Sequence, residues 1–182
     1  MTTYVILLRG INVGGKNKVP MAALRDCLEE LGFSNVATYI ASGNAILRSK
    51  KSAAEVQSAI EQALPNKFEL DSEYIKALVL THDYLQAIVE SKPAGFGEHP
   101  DKYHSDAIFL MDLDVEQAIL VFSPRDGVDQ IWTGDGVVYS QRLSSARTKS
   151  RLGKIVGTPA YKSMTIRTWN TVIKLLDLSA TA

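Results

Sequence analysis

The chain has 182 residues, of which 46% are apolar and 22% are charged, so it can form one full hydrophobic core or two small ones. Its 20 basic and 20 acidic side chains cancel, and no apolar run approaches the roughly 18 residues of a membrane-spanning helix. The single cysteine excludes an internal disulfide, and the amino terminus lacks a signal-peptide pattern. We therefore expect a cytoplasmic protein with no membrane partner.

The first eighty residues predict the order β-α-β-β-α-β. An apolar run at residues 4–8 indicates a buried strand, and Pro20 suits the first turn of a helix. Ser52 with Glu55 three positions later is the signature of a capping box at the start of a second helix. The remaining strands of this half are predicted at residues 36–41, 45–48 and 74–80. This order is that of a ferredoxin-like fold.

The second half repeats the pattern less clearly. Its predicted elements are a strand at 107–111, a helix at 115–122, a hairpin of strands 129–132 and 137–139, a helix at 145–155 and a last helix capped by Thr165. We expect an α+β protein with two ferredoxin-like (βαββαβ) halves that arose by duplication, plus a C-terminal helix. The predicted boundaries are 1–91 for the first half, 92–104 for a connector rich in proline and glycine, and 105–182 for the second half.

The most unusual stretch is residues 9–18 (RGINVGGKNK), which we call the glycine loop. It takes about ten residues where a few would connect strand to helix, and it holds three glycines and three cations but no acid. Consecutive N–H groups at such glycines can form an anion-binding nest, and the accompanying cations favour this interpretation. The alternative is a long loop whose glycines merely allow positive φ. The candidate ligand-binding residues here are Arg9, Asn12, Gly14, Gly15, Lys16 and Asn17, with Lys18 adding charge.

The glycine loop is not a P-loop. Residues 10–16 match the pattern G-x-x-x-x-G-K, but the next residue is Asn17, so the magnesium-binding hydroxyl of that motif is missing. A P-loop helix would also begin at the Gly-Lys pair and would enclose Pro20, which cannot supply an interior hydrogen bond.

Strand order predicts that a second motif lies beside the glycine loop. In a ferredoxin-like sheet the end of the first strand lies at the same edge as the turn between the second and third strands. Ser42 and Asn44 occupy that turn, and both side chains can bind a ligand through hydrogen bonds. The alternative is ordinary turn chemistry, for which Gly-Asn is well suited.

Charge is strongly segregated along the chain. Residues 69–135 carry 14 acids and 4 bases, whereas residues 136–176 carry 8 bases and no acid. Cations alternate with hydroxyls near residues 144–151, a combination that suits phosphate oxygens. Either the basic residues bind an anionic partner, or the acidic middle pairs with them inside the fold. The candidate ligand-binding residues of this part are Arg147, Lys149, Lys154, Arg167 and Asn170.

Other functional classes are disfavoured. The three histidines lie in or beside the connector without metal-ligand spacing, so we expect no metal and no cofactor. The predicted third strand, Ala-Ile-Leu-Arg, has no aromatic residue, which argues against an RRM-like RNA-binding sheet.

Three motifs resemble a bacterial family known only as domain-of-unknown-function family number sixteen ninety-seven. They are LLRGINVGGKN at residues 7–17, YIASGN at 39–44 and RTWNTV at 167–172. The resemblance spans essentially the whole chain and implies two ferredoxin-like halves, but it implies no activity. The chain departs from the usual family pattern at Ala41, where glutamine is common, and at Thr168, where asparagine is common.

The sequence thus leads to one main hypothesis with two alternatives. The first is a protein that binds a phosphate-bearing small molecule or nucleic acid at the glycine loop. The second is an enzyme acting on a small anionic metabolite, with Arg9 and Lys16 as electrostatic clamps. The third is a homodimeric interaction module without catalysis.

Overall fold

The computed structural model describes residues 1–71 and 75–182 and has an α+β fold with two four-stranded antiparallel sheets and a C-terminal helix. The chain divides into two compact units, residues 1–86 with 174–182 (the first unit) and residues 87–173 (the second unit). Among the described residues, no helix combines the length and the apolar character that crossing a membrane requires.

The first unit contains the predicted order of elements. They are β1 (Thr2–Arg9), α1 (Met21–Glu30), β2 (Ser34–Tyr39), β3 (Asn44–Ser49), α2 (Ala53–Lys67) and β4 (Lys76–Thr81), followed by α3 (His82–Glu90). The strands lie in the order β2-β3-β1-β4, with every neighbouring pair antiparallel. The predicted strand at 74–80 corresponds to β4, although Tyr74 lies outside the described residues.

Local signals explain the helices of this unit. Pro20 precedes α1 with φ −62°, and the capping box predicted at α2 is present, since Ser52 N–H donates to Glu55 and Glu55 N–H donates to Ser52. One face of the sheet packs against the apolar stripes of both helices. That core comprises Tyr4, Ile6 and Leu8 of β1, Leu24 and Leu28 of α1, and Val56, Ile60 and Leu64 of α2.

The other face of this sheet is buried as well. Val5 and Leu7 of β1 and Ile46 of β3 are each no more than 1% exposed. A sheet that stacks nucleic-acid bases must present an accessible face, so this sheet does not offer an RRM-like platform.

The second unit contains β5 (Tyr103–Leu110), α4 (Val115–Ile119), β6 (Asp129–Gly134), β7 (Val137–Leu143) and β8 (Met164–Thr168), and α5 (Trp169–Ala180) begins in it. The strand order is β6-β7-β5-β8, again antiparallel throughout. One face of the sheet packs against α4 and against short 3₁₀ turns through Ile108, Val138, Ala118, Leu152 and Ile155.

An aromatic cluster built on the predicted connector forms a second core region. Phe96 is fully buried, and its ring centroid lies 5.1 Å from that of Tyr139 and 5.0 Å from that of Trp169. Trp132 joins the cluster with its centroid 6.0 Å from that of Phe96. The Tyr139 hydroxyl donates to the carbonyl of Ile88 over 2.7 Å. The connector therefore contributes to the core of the second unit as well as linking elements.

One predicted element of the second unit is confirmed only in part, and the predicted cap of the last helix is wrong. Residues predicted as a helix at 145–155 form 3₁₀ turns at Ser144–Lys149 and Leu152–Gly157, with a third at Pro159–Ser163. Thr165, predicted to cap the last helix, lies inside β8, because residues 164–168 pair with β5 from Leu110 to Asp106. The helix begins at Trp169 instead, and the Thr168 hydroxyl accepts from the N–H of Thr171.

Candidate functional site

The glycine loop forms a miniature hairpin at the end of β1. Val13 and Lys16 make an isolated bridge, and the N–H of Lys16 donates to the carbonyl of Val13 over 3.0 Å. Gly14 and Gly15 form the two-residue turn with φ values of 59° and 78°. Two successive positive φ angles define a type I′ turn, which favours glycine at both positions. Chain reversal alone therefore explains this glycine pair.

Two asparagine side chains hold the loop in shape. Asn12 Nδ2 donates to the carbonyls of Val19 and Ala41, each over 2.9 Å, and its Oδ1 accepts from the N–H of Val19 over 2.8 Å. Asn17 Nδ2 donates to the carbonyl of Gly10 over 2.8 Å. Both asparagines have positive φ, which asparagine tolerates better than most residues. The main role of these side-chain amides is therefore to hold the backbone of the loop.

The turn at residues 42–44 lies beside the loop, as the strand order predicts. The N–H of Leu8 donates to the carbonyl of Gly43 over 2.8 Å. Asn44 is fully buried and donates to the carbonyl of Tyr39 and to the Ser42 hydroxyl, so a ligand does not reach its side chain. Ser42, in contrast, is exposed.

Charge at the loop is less one-sided than the sequence indicates. Lys16 and Lys18 are exposed, and neither makes an ion pair within residues 1–71 and 75–182. Arg9 is half-buried and pairs in the β1–β4 register with Lys76. The carboxylate of Asp71 accepts from the N–H of Asn17 over 3.1 Å. Sequence reasoning missed Asp71 because it lies more than fifty residues away along the chain, and no local pattern connects the two.

One atom at the base of the loop has no hydrogen-bond partner within residues 1–71 and 75–182. Asn17 is 7% exposed, and its Oδ1 is enclosed without a donor in the described part of the chain. This atom is an acceptor, so it suits a donor and not a phosphate oxygen. The accessible binding groups of the loop are therefore its hairpin tip and its two exposed lysines.

Asp129 holds the basic segment of the second unit (residues 144–155) through a backbone N–H of the segment. Asp129 accepts from the N–H of Arg125 over 2.9 Å and from the N–H of Arg151 over 2.8 Å. Burial by itself raises the pKa of Asp129, but the bonds from Arg151, from the hydroxyl of Ser150 and from Arg125 outweigh it, so the pKa lies below its ordinary value. This buried acid explains why the segment forms turns at this place.

Three cations of the basic segment are accessible to solvent. Arg147, Lys149 and Lys154 are exposed and make no ion pair among the residues that the structure describes. Acidic residues do meet basic ones within this unit, since Asp106 lies 3.7 Å from Arg142 and Asp129 binds the backbone of Arg151. Contacts between the acidic middle and basic residues therefore account for part of the charge segregation.

The two candidates near β8 have different environments. Arg167 is only 7% exposed, and its Nη1 donates to the Thr165 hydroxyl and to the carbonyl of Ile166. Burial lowers its pKa to about 10, so the side chain stays charged at neutral pH. Asn170 is exposed in the first turn of α5. Of the two, Asn170 is the one that a ligand can reach.

Comparisons with known proteins match this architecture. Residues 1–139 match the family model described as "Protein of unknown function (DUF1697)", a range that contains the glycine loop and the turn at 42–44. A solved structure described as conserved bacterial protein SP0830 from Streptococcus pneumoniae is similar over 98% of each chain, with 31% sequence identity and a TM-score of 0.83. No curated protein matches the sequence.

Proposed function

The chain belongs to the DUF1697 family of proteins of unknown function, and we propose that it binds a phosphate-bearing ligand, a nucleotide or a nucleic acid, at the glycine loop. The observation that carries this proposal is the state of Lys16 and Lys18. Both ammonium groups are exposed and make no ion pair in the described part of the chain, on a loop whose backbone is held by Asn12 and Asn17. Exposed cations that have no acidic partner among the described residues are available to phosphates.

The shape of the loop favours an extended ligand over an enclosed one. Val13 at the hairpin tip is 69% exposed and Ile40 is 50% exposed, and the bond from Asn12 to Ala41 joins their two segments. Exposed apolar side chains beside lysines can contact sugars or bases while the lysines contact phosphates. Nucleic acid is therefore the first ligand to test. Asp71 works against an anion at the base of the loop, which places the expected contacts at the tip.

The basic segment offers a second set of exposed cations that make no ion pair among the described residues. Arg147, Lys149 and Lys154 are exposed on turns whose backbone Asp129 anchors. In this proposal each set contacts phosphates by itself.

A binding titration at two salt concentrations tests the proposal. Fluorescence anisotropy of a labelled single-stranded oligonucleotide is measured at 50 and 200 mM salt, and affinity is expected to fall with salt as counterions are released. Replacing Lys16 and Lys18 together by alanine is expected to weaken binding and to reduce the slope of log K against log salt by about 2, roughly one for each lost phosphate contact.

Lys50→Ala is the matched control. Lys50 is exposed, makes no ion pair among the described residues and follows β3 at the end opposite the glycine loop, because Ser49 pairs with Thr2 whereas Asn44 pairs with Leu7. Its removal should leave the slope nearly unchanged. Salt-indifferent binding by the wild type, or equal effects of the control and the double variant, would contradict the proposal.

We also propose that the two sheets are ferredoxin-like halves related by duplication. Supporting this, the order β2-β3-β1-β4 becomes β6-β7-β5-β8 when four is added to each strand number. A helix follows the first strand in both halves, but 3₁₀ turns stand in the second half where α2 stands in the first. A cytoplasmic location, the homodimer and the predicted boundaries at 91 and 104 stay predictions.

A further inference from the structure

A cleft of about 170 Å³ opens in the second unit where β5 and α5 both begin. Its lining includes Gly97, Tyr103, His104, Thr168, Trp169 and Asn170. The register explains this arrangement, because Asp106 pairs with Thr168, the last residue of β8, so that His104 lies beyond the end of that strand pair and near the first turn of α5. At about 30 Å³ for one liquid water, the cleft holds a small molecule and not a polymer.

One wall of the cleft carries a hydrogen-bond donor that has no partner among the described residues. Trp169 is only 6% exposed, yet its indole Nε1–H donates to no acceptor in the described part of the chain. The nitrogen itself is not fully enclosed by protein atoms, and Trp169 lines the cleft, so the N–H is accessible from it. A buried indole N–H usually finds an acceptor, so its absence here indicates a group that a ligand supplies.

Gly97 keeps the indole edge open. Its φ is +72°, and a Cβ at this position would lie 2.4 Å from Trp169 Cδ1 and 2.7 Å from Nε1. The N–H of Gly97 donates to the side-chain oxygen of Gln141 over 3.0 Å, and this bond holds the Gly97 backbone close to the indole. Any side chain here would cover the donor, so glycine is the residue that leaves it accessible.

A histidine with a fixed orientation lines the same cleft. His104 Nε2 lies 3.0 Å from Asp106 Oδ1, and Arg142 Nη1 lies 3.7 Å from Asp106 Oδ2. Burial raises the pKa of Asp106, and His104 and Arg142 offset this only in part. Nδ1 of the same ring has no partner among the described residues, so it is available to a ligand.

Asn170 completes the set of donors. It lies in the first turn of α5, where backbone N–H groups have no partner within the helix and the helix dipole favours negative charge. Its side-chain amide is exposed and makes no hydrogen bond within the described residues.

We propose that this cleft binds the oxyanion group of a small molecule, a carboxylate or a phosphate, through the indole N–H of Trp169, the amide groups of Asn170 and the imidazole of His104. The indole N–H and the amide N–H groups are donors, and the ligand must therefore supply acceptors for them. The site uses none of the residues of the glycine loop, so this proposal can be tested independently of the proposed function.

Tryptophan fluorescence gives a direct test. The chain has two tryptophans, so the variant Trp132→Phe leaves Trp169 as the only one. This protein is titrated with acetate, succinate and inorganic phosphate at constant ionic strength. We expect a saturable change in emission with at least one probe. Saturation by phosphate alone assigns the site to phosphates, whereas saturation by acetate or succinate assigns it to carboxylates.

Calorimetric titrations then test the individual donors. Trp169→Phe, which removes the N–H, is expected to bind the successful probe about tenfold more weakly than Trp132→Phe, its matched control in the same aromatic cluster. Asn170→Ala and His104→Gln should each bind several-fold more weakly. Asn170 is exposed, so its variant carries the test even if loss of the indole disturbs folding.

The double lysine variant of the glycine loop should bind the probe normally, which separates the two sites. Absence of saturation with all three probes, or unchanged affinity in both Trp169→Phe and Asn170→Ala, would overturn the proposal.

Discussion

Gly43→Ala should destabilise the protein through two separate costs. Gly43 has a φ of +80°, and a left-handed backbone costs a residue with a Cβ about 1–2 kcal/mol. The added Cβ would also lie 2.8 Å from Leu8 Cβ and 2.8 Å from Ile11 Cδ1. Leu8 and Ile11 are 2% and 3% exposed, so neither can move into solvent, and overpacking of this kind costs about 1–3 kcal/mol.

The expected loss in the free energy of unfolding is therefore about 2–5 kcal/mol. For a chain of this size, this corresponds to a fall of roughly 4–20 °C in Tm. Urea denaturation measures the loss. Hydrogen exchange at the amide of Leu8 adds a local measurement, because that N–H donates to Gly43 and should exchange faster in the variant.

Gly14→Ala separates the two costs. Gly14 also has positive φ, +59°, but a Cβ there would meet nothing within 4 Å. The Gly14→Ala variant should therefore lose only about 1–2 kcal/mol in the free energy of unfolding, which is the backbone cost. If the two variants lose the same stability within about 0.5 kcal/mol, the close approach of the turn to β1 has no energetic consequence and the reasoning is refuted.

Two further predictions concern the second unit. Phe96→Ala should cost about 3–5 kcal/mol in urea denaturation, since the ring is fully buried among three aromatic residues, whereas Phe96→Leu, which keeps most of the volume, should cost clearly less. Asp129→Asn should be less stable than the wild type at neutral pH by about 1–3 kcal/mol, and the gap should narrow in acid. The sign follows from the lowered pKa of Asp129, whose contribution is complete above the unfolded value of about 3.9 and is lost as pH falls through the lower folded value. A gap that widens below pH 4 would contradict this assignment.

Much of the first unit could be predicted from the sequence because its signals are local. The capping box at Ser52 and the apolar stripe of α2 depend on residues three or four apart. The convergence of residues 42–44 on the glycine loop followed from strand order, which the pattern of elements already indicated. Strand β8 could not be predicted in this way, because a run of only five residues that includes an arginine carries little signal until it pairs with β5.

In the candidate site, too, local features could be predicted from the sequence, whereas contacts between distant residues could not. The sequence indicated a loop with several cations and with glycines that allow positive φ, and in the structure Gly14 and Gly15 have positive φ and Lys16 and Lys18 are exposed. It could not indicate that Asp71 reaches the N–H of Asn17, that Arg167 is buried, or that Asn44 is closed to ligands. Each of these depends on contacts between residues distant in the chain, and side-chain identity alone does not determine burial.

The sequence by itself determined the family, the order of elements in the first unit and the composition of the glycine loop, because these depend on residue identity and short-range spacing. Only the tertiary structure decided how the loop residues are used. The glycines form a type I′ turn and the asparagines hold its backbone, which leaves Lys16 and Lys18 as accessible charges. Only the tertiary structure, likewise, brought Trp169, Asn170 and His104 around one cleft. The physical reason is that hydrogen bonding and burial of polar groups depend on which distant segments pack together.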